Sequence, residues 1–233
     1  GYKVMLSGMG ADELFGGYPR YSLVQFSKIF SIINKLLPDF LLKVKSFDKK
    51  IERFRSFFDQ NHFGLKYSSI IGYFSVNEVN GMLENRFDLR NFKSKTNELL
   101  SNMSNVKASN LKKAMYLDVF GFLSHNFSVA DKSSMLEGIE LRVPLATKTL
   151  AMNSFKSKTS YWTGLRTTKK LLKKILLKQG LPKDIVYRKK AGFNPPMDKH
   201  ILELGEKKLL EVFENNKLFH YLNRNVVESI LNE

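Results

Sequence analysis

The chain has 233 residues, 43% of them hydrophobic and 12% aromatic, which is enough to bury a core and too apolar for a disordered chain. It contains no cysteine, which excludes disulfides, thiolate zinc sites and cysteine nucleophiles, and suits a reducing compartment. Thirty-eight Lys and Arg against 22 Asp and Glu leave a net charge of +16, which attracts polyanions, but the basic residues are scattered and form no zipper, finger or RNA-recognition pattern.

No apolar run reaches the roughly 20 residues of a membrane-spanning helix and no signal peptide is visible, so a cytoplasmic protein without membrane contact is expected. The chain opens on Gly1, immediately before a predicted strand. That start points to a piece of a longer polypeptide, with further partners of the strand lying upstream.

Tyr2-Lys3-Val4-Met5-Leu6 is a short β-forming run ending at a Ser-Gly pair, and it predicts a buried strand that delivers a loop. Asp12-Glu13-Leu14-Phe15 then reads as a helix start, with acids facing the backbone N–H groups of the first turn. A strand, a glycine-broken loop and an acid-led helix are how α/β proteins build an anion or nucleotide site. The spacing matches neither G-x-x-x-x-G-K-S/T nor G-x-G-x-x-G. An ordinary turn, with Gly8 and Gly10 at positive φ and Asp12 capping the helix, therefore stays open beside a ligand site.

Tyr21 to Lys50 carries a helical stripe at Phe26, Ile29, Phe30, Ile33, Leu36 and Leu37, interrupted at Pro38 and resumed at Phe40. The aromatics Phe54, Phe57, Phe58, Phe63, Tyr67, Tyr73 and Phe74 read as core packing. Asn85 to Ser109 is polar without sustained periodicity and predicts an exposed connection. A buried helix is expected from Leu111 through Met115 and Leu117 to Val119–Leu123.

Asn126-Phe-Ser-Val-Ala-Asp131-Lys132-Ser133-Ser134-Met135 leads into Glu140-Leu141-Arg142-Val143-Pro144. On chemistry alone Glu140 and Arg142 could form a buried ion pair joining two elements. Lys169 to Lys178 is a basic amphipathic helix, read as a surface helix whose lysines flank an apolar stripe, with a membrane or partner-helix role as the alternative. Gly180 ends it, and Leu181-Pro182-Lys183-Asp184-Ile185 starts another short helix. Arg188-Lys189-Lys190-Ala191-Gly192-Phe193 gathers three cations beside a glycine, as an exposed loop or a phosphate clamp. The residues from Asp198 to Glu233 read as amphipathic helices.

Three of these segments, in this order, resemble the synthetase domain of glutamine-hydrolysing asparagine synthetases, a domain of the PP-loop ATP pyrophosphatase type. They are Leu6 to Tyr21, the Asp131-Lys132-x-Ser134-Met135 and Glu140-x-Arg142-Val143-Pro144 pair, and the Leu181-Pro182 and Arg188-x-Lys190-x-x-Phe193 pair. The resemblance implies that residues 1–233 are the C-terminal part of such a domain, α/β and predominantly helical, with an incomplete nucleotide-binding parallel sheet. It further implies adenylation of the aspartate side-chain carboxylate by ATP with Mg²⁺, then displacement of AMP by ammonia drawn from glutamine. Ser7, Gly8 and Gly10 would contact ATP, Asp12 would meet Mg²⁺ or pyrophosphate, and Lys190 would be catalytic. Glu13, Asp131, Glu140 and Arg142 would support them, and a homodimer is compatible.

The departures are specific. Met9 stands where active members often carry an acid, and a thioether neither accepts a proton nor binds a hard cation well. Asn126 and Thr147 stand where relatives carry carboxylates. The upstream loop Ser-Gly-Gly-x-Asp-Ser and the glutaminase cysteine do not occur in the sequence, so these 233 residues alone are expected to be nearly inactive. A basic helical nucleic-acid-binding module and a catalytically silent family member are the rival expectations.

Overall fold

The computed structural model describes residues 1–36, 48–74, 76–83, 89–103, 108–189, 197–214, 216–217 and 221–231. In chain order the elements are β1 (Val4–Leu6), α1 (Ala11–Phe15), α2 (Pro19–Gln25), α3 (Ser27–Leu36), α4 (Asp48–Asp59), α5 (Phe63–Ile71), α6 (Val76–Met82) and α7 (Leu89–Ser101). They continue with α8 (Asn110–Asp118), a π-helical turn (Val119–Leu123), α9 (Ser124–Leu136), β2 (Glu140–Arg142), α10 (Lys148–Lys156), α11 (Lys170–Lys178) and α12 (Lys183–Val186). The last three are α13 (Met197–Leu204), α14 (Glu206–Glu214) and α15 (Arg224–Leu231). The chain divides into two compact units, Gly1–Leu41 with Lys95–Arg188, and Leu42–Ser94 with Lys189–Glu233.

In the first unit β1 and β2 pair in parallel, Val4 with Glu140, Met5 with Leu141 and Leu6 with Arg142. Parallel neighbours need a crossover, and here it runs through the helices between them. The strand expected at Tyr2–Leu6 is present, but it is exposed rather than buried. A sheet of two short strands leaves apolar faces uncovered among the described residues.

The core of this unit lies deeper, where Leu14, Tyr21, Val24, Leu111, Ala114, Met115, Leu123 and Trp162 are buried. Burying such side chains contributes about 1.5–3 kcal/mol each. Ser154 Oγ donates to the Leu14 carbonyl at this depth, and the hydroxyls of Ser22 and Thr163 meet at 2.9 Å, whereas the Trp162 indole N–H is buried without a hydrogen-bond partner among the described residues. The helix expected from Leu111 is α8 with the π turn, although Phe120 and Phe122 on that turn face solvent. The stripe of α3 is likewise exposed at Ile29, Ile33 and Leu36, while Leu37, Pro38 and Phe40 lie outside the described residues.

In the second unit α4 packs on α5 through aromatic side chains. Phe57 and Tyr67 are buried, Phe54 and Phe58 meet edge-to-face at 5.2 Å, and Phe63 stacks on Tyr67 at 6.2 Å. Tyr73 and Phe74 depart from the core reading and are exposed. The α6 and α15 ends are tied by the Asn223 N–H donating to the Met82 carbonyl at 2.6 Å.

The stretch from Asn85 to Ser109 corrects the sequence expectation, because thirteen of its residues form α7. The signal was present but diluted by Lys and Asn. Leu89, Phe92, Thr96, Leu99 and Leu100 recur at helical spacing, and with Lys93 they are the positions turned away from solvent.

Candidate functional site

The loop from Ser7 to Gly10 joins β1 to α1. The Ser7 N–H donates to the Arg142 carbonyl at 2.8 Å, which extends the β1–β2 ladder by one bond and fixes where the loop begins. Ser7 Oγ then accepts from the Met9 N–H at 3.3 Å, and the Gly8 carbonyl accepts from the Ala11 N–H at 3.2 Å. Gly8 is exposed and has open space around its Cα. Gly10 is buried with φ 84°, and a Cβ there would stand 2.8 Å from the Ala146 Cβ. Gly10, not Asp12, occupies the N-cap of α1, and no side chain caps the helix.

The carboxylate of Asp12 is thereby left to face elsewhere, and its Oδ1 lies 3.0 Å from Lys169 Nζ at the start of α11. Glu13 points into the core, 3% exposed, and accepts from the Tyr18 hydroxyl at 2.6 Å. Burial first, then this hydrogen bond and the negative charges of Glu13 and Asp12, push the Tyr18 phenol well above its ordinary value of 10.0. The guanidinium of Arg20 lies 3.7 Å from the Tyr18 ring centroid and donates to Asp118 at 2.8 Å. Asp118 also accepts from the buried Tyr21 hydroxyl at 2.5 Å.

The other predicted residues are placed as follows. Glu140 and Arg142 lie two apart on β2 and bond each other at 3.0 Å, both well exposed. Because they share one strand and face solvent, their pair cannot join two elements, which corrects the buried reading. The Arg142 hydrogen bond and charge hold the Glu140 carboxyl below its usual range. Asp131 is exposed on α9 and lines a cavity of about 360 Å³ with Phe127, Leu141 and Val143. Lys190 lies outside the described residues.

Thr147, where an acid was expected, caps α10 by accepting from the Leu150 N–H at 3.3 Å. Sequence reasoning missed Lys169, Arg20, Asp118 and Trp162. The Asp12–Lys169 pairing spans more than 150 positions and has no local signature, whereas Tyr18-Pro19-Arg20-Tyr21 was already inside the first motif.

The comparisons agree with the family read from the sequence. The chain belongs to the asparagine synthase family, whose model, described as asparagine synthase, matches residues 1–233. It is similar to asparagine synthetase (glutamine-hydrolyzing) 1 of Bacillus subtilis (strain 168), with 27% identity over 238 residues. That similarity takes in 99% of this chain and 36% of the relative, so the chain spans about a third of its length. No solved structure gives a significant match. No helix among the described residues is long and apolar enough to cross a membrane.

Proposed function

We infer that the chain is the C-terminal part of the synthetase domain of an ATP-dependent amide ligase, which makes asparagine from aspartate with ammonia drawn from glutamine by a separate glutaminase domain. The observation that carries this reading is the family match over the whole chain, reaching from the glycine loop to the cationic segment at Arg188.

In the first half-reaction an oxygen of the aspartate side-chain carboxylate attacks the α-phosphorus of ATP and pyrophosphate leaves. In the second, ammonia attacks the acyl carbon and AMP leaves. Negative charge builds on the departing pyrophosphate, so fixed cations near it lower the barrier, and one such contact is typically worth about 10²–10³ in rate. Lys190 is assigned that role, with a compact charge on a flexible stem. Ser7 and Gly8 present the loop to the nucleotide, and the exposure of Gly8 suits a close backbone approach.

Among the described residues no group of three or more His, Cys, Asp or Glu converges, so a magnesium ion caged by protein ligands alone does not fit. Magnesium is usually held by one or two carboxylates together with substrate phosphates. Asp12, partly exposed beside the loop, fits as one such carboxylate. The ion would neutralise phosphate charge. Met9 cannot take the proton of the attacking ammonia, so that proton leaves through another group.

The test is aspartate- and ATP-dependent pyrophosphate release by the intact protein, with the flanking sequence its gene encodes. Release that is abolished by Lys190→Ala supports the ligase. If nucleotide binds but no release follows with aspartate, the acceptor is another carboxylate or the site is silent, and the reading falls.

A further inference from the structure

One face of α10 packs toward α1, where Ser154 meets the Leu14 carbonyl, and a different face lines a cavity of about 380 Å³. That second face carries Lys148, Ala151, Met152, Phe155 and Lys156, spaced as one helical stripe. Facing it are Tyr116 of α8 and Val119 and Phe120 of the π-helical turn, with Met103 beyond the end of α7. The volume lies at the lower end of the roughly 300–1,000 Å³ of small-molecule sites.

The walls are aromatic and already braced. The Tyr116 ring meets the Phe120 ring with centroids 4.4 Å apart and the Phe155 ring edge-on at 5.7 Å. Met103 and Met152 add soft thioether walls that adapt to a ring. Phe120 and Met152 are nevertheless about half exposed, at 53% and 47%, so apolar surface at the cavity is still open to water and would be covered by a ligand. The π turn that places Phe120 there is a rare helix form, found frequently at functional sites.

Charge narrows the ligand class. Lys148 and Lys156 line the cavity and no carboxylate does, and neither ammonium pairs with an acid among the described residues. Lys156 lies in the last turn of α10, where a cation complements the helix dipole. Lys148 is the first residue of that helix, eight positions and about 12 Å away along the axis, where the dipole disfavours a cation. An anion beside Lys148 removes that conflict. A cationic ligand would meet two ammonium groups and no counter-charge.

We propose that this cavity binds a small aromatic carboxylate, its ring against Tyr116, Phe120 and Phe155 and its carboxylate on the Lys148 ammonium. Aromatic rings pair edge-on or offset with such walls, and thioether sulfur favours the edge of a bound ring. The inference is independent of the ligase reading, because no residue of the glycine loop takes part.

The experiment is calorimetric titration of the intact protein with 2-naphthoate and with its uncharged counterpart, 2-naphthamide. Wild type should bind 2-naphthoate saturably at one site, and 2-naphthamide about 10- to 100-fold more weakly for want of the charge-assisted contact. Lys148→Met keeps an apolar stem and removes the charge, so it should weaken 2-naphthoate by about the same factor and leave 2-naphthamide unchanged. Lys148→Arg should restore most of the 2-naphthoate affinity. Ala151→Leu fills the cavity from a half-buried helical position, so it should abolish binding of both compounds without lowering the melting temperature.

Three results overturn the inference: no saturable binding of 2-naphthoate by wild type, undiminished binding by a folded Ala151→Leu variant, or an equal loss of both compounds in Lys148→Met. The last would mean that the lysine shapes the cavity and holds no carboxylate. Should Ala151→Leu melt early, the paired titrations of Lys148→Met still decide.

Discussion

The Tyr18 hydroxyl donates to Glu13 Oε1 across 2.6 Å, closing a bridge over the double glycine that ends α1. Its acceptor is almost fully buried, so this bond satisfies a carboxylate that has little water to turn to. Tyr18→Phe removes the donor and keeps the ring beneath Arg20. Urea unfolding should report a loss of about 1–3 kcal/mol, the usual cost of stranding a buried polar group.

The same bond sets a pH dependence. The phenol is held protonated in the fold, so its folded value lies above the unfolded 10.0. A group raised in this way contributes its full stabilisation below the unfolded value and loses it as pH climbs from there toward the folded one. Unfolding at pH 8, 10 and 11 should therefore show wild type losing its advantage over Tyr18→Phe above pH 10, with the difference constant below it. A difference that stays unchanged at pH 11 would refute the assignment.

The parts legible in the sequence were those with local physics. The Leu6-Ser7-Gly8 junction, the acid-led turn at Asp12, the glycine stop at Gly180 and the aromatic packing of Phe57 and Tyr67 each follow from spacing within a dozen residues. The strand at Glu140–Arg142 was not legible, because the alternation of Glu-Leu-Arg is only three residues long and too short to register as a strand. Its pairing with Val4–Leu6 is set by long-range topology. The polarity of Asn85–Ser109 hid α7, whose apolar positions are real but outnumbered. The candidate site was readable as a motif, but the partner of Asp12 was not, since a lysine among the many of Lys169–Lys178 stands out only once its distance from Asp12 is known.

Asp118 is the most heavily used buried acid of the first unit, accepting from Arg20 and Tyr21 together. It ties α8 to the start of α2, directly behind the glycine loop's helix. Asp118→Ala would remove the acceptor shared by the wholly buried Tyr21 hydroxyl and the Arg20 guanidinium. Removing one partner of a fully buried pair costs roughly 3–5 kcal/mol. Since the Arg20 side chain keeps 23% exposure and can hydrate, a value of about 2–4 kcal/mol is expected by chemical denaturation. Double substitution with Arg20→Met should recover part of that loss, because the cation that has lost Asp118 then disappears.

Glu140→Gln makes the contrasting case. The Glu140–Arg142 pair has ideal distances, yet both side chains are more than half exposed and already solvated. The melting temperature of Glu140→Gln should be indistinguishable from wild type in low salt and in high salt. A clear drop would mean that the pair is covered by something in the intact protein.

Under the proposed function, Gly8 and Gly10 divide folding from nucleotide binding within one loop. At Gly10 the backbone is left-handed and an added methyl would collide with the Ala146 Cβ at 2.8 Å, with Leu123 3.6 Å away on the other side. Leu123 is buried and Ala146 half-buried, and the closer contact is to a Cβ that cannot swing away, so Gly10→Ala combines strain with overpacking and should cost about 1–3 kcal/mol. Gly8 has nothing within 4 Å of an added Cβ, so Gly8→Ala should melt at the wild-type temperature. The methyl would nevertheless occupy the space through which the nucleotide approaches the backbone in the proposed site. Equilibrium titration with ATP should therefore show weaker binding for Gly8→Ala despite its intact fold. Wild-type nucleotide affinity in that variant would mean that the nucleotide lies elsewhere, and the assignment of the loop would have to be given up even though the family membership stands.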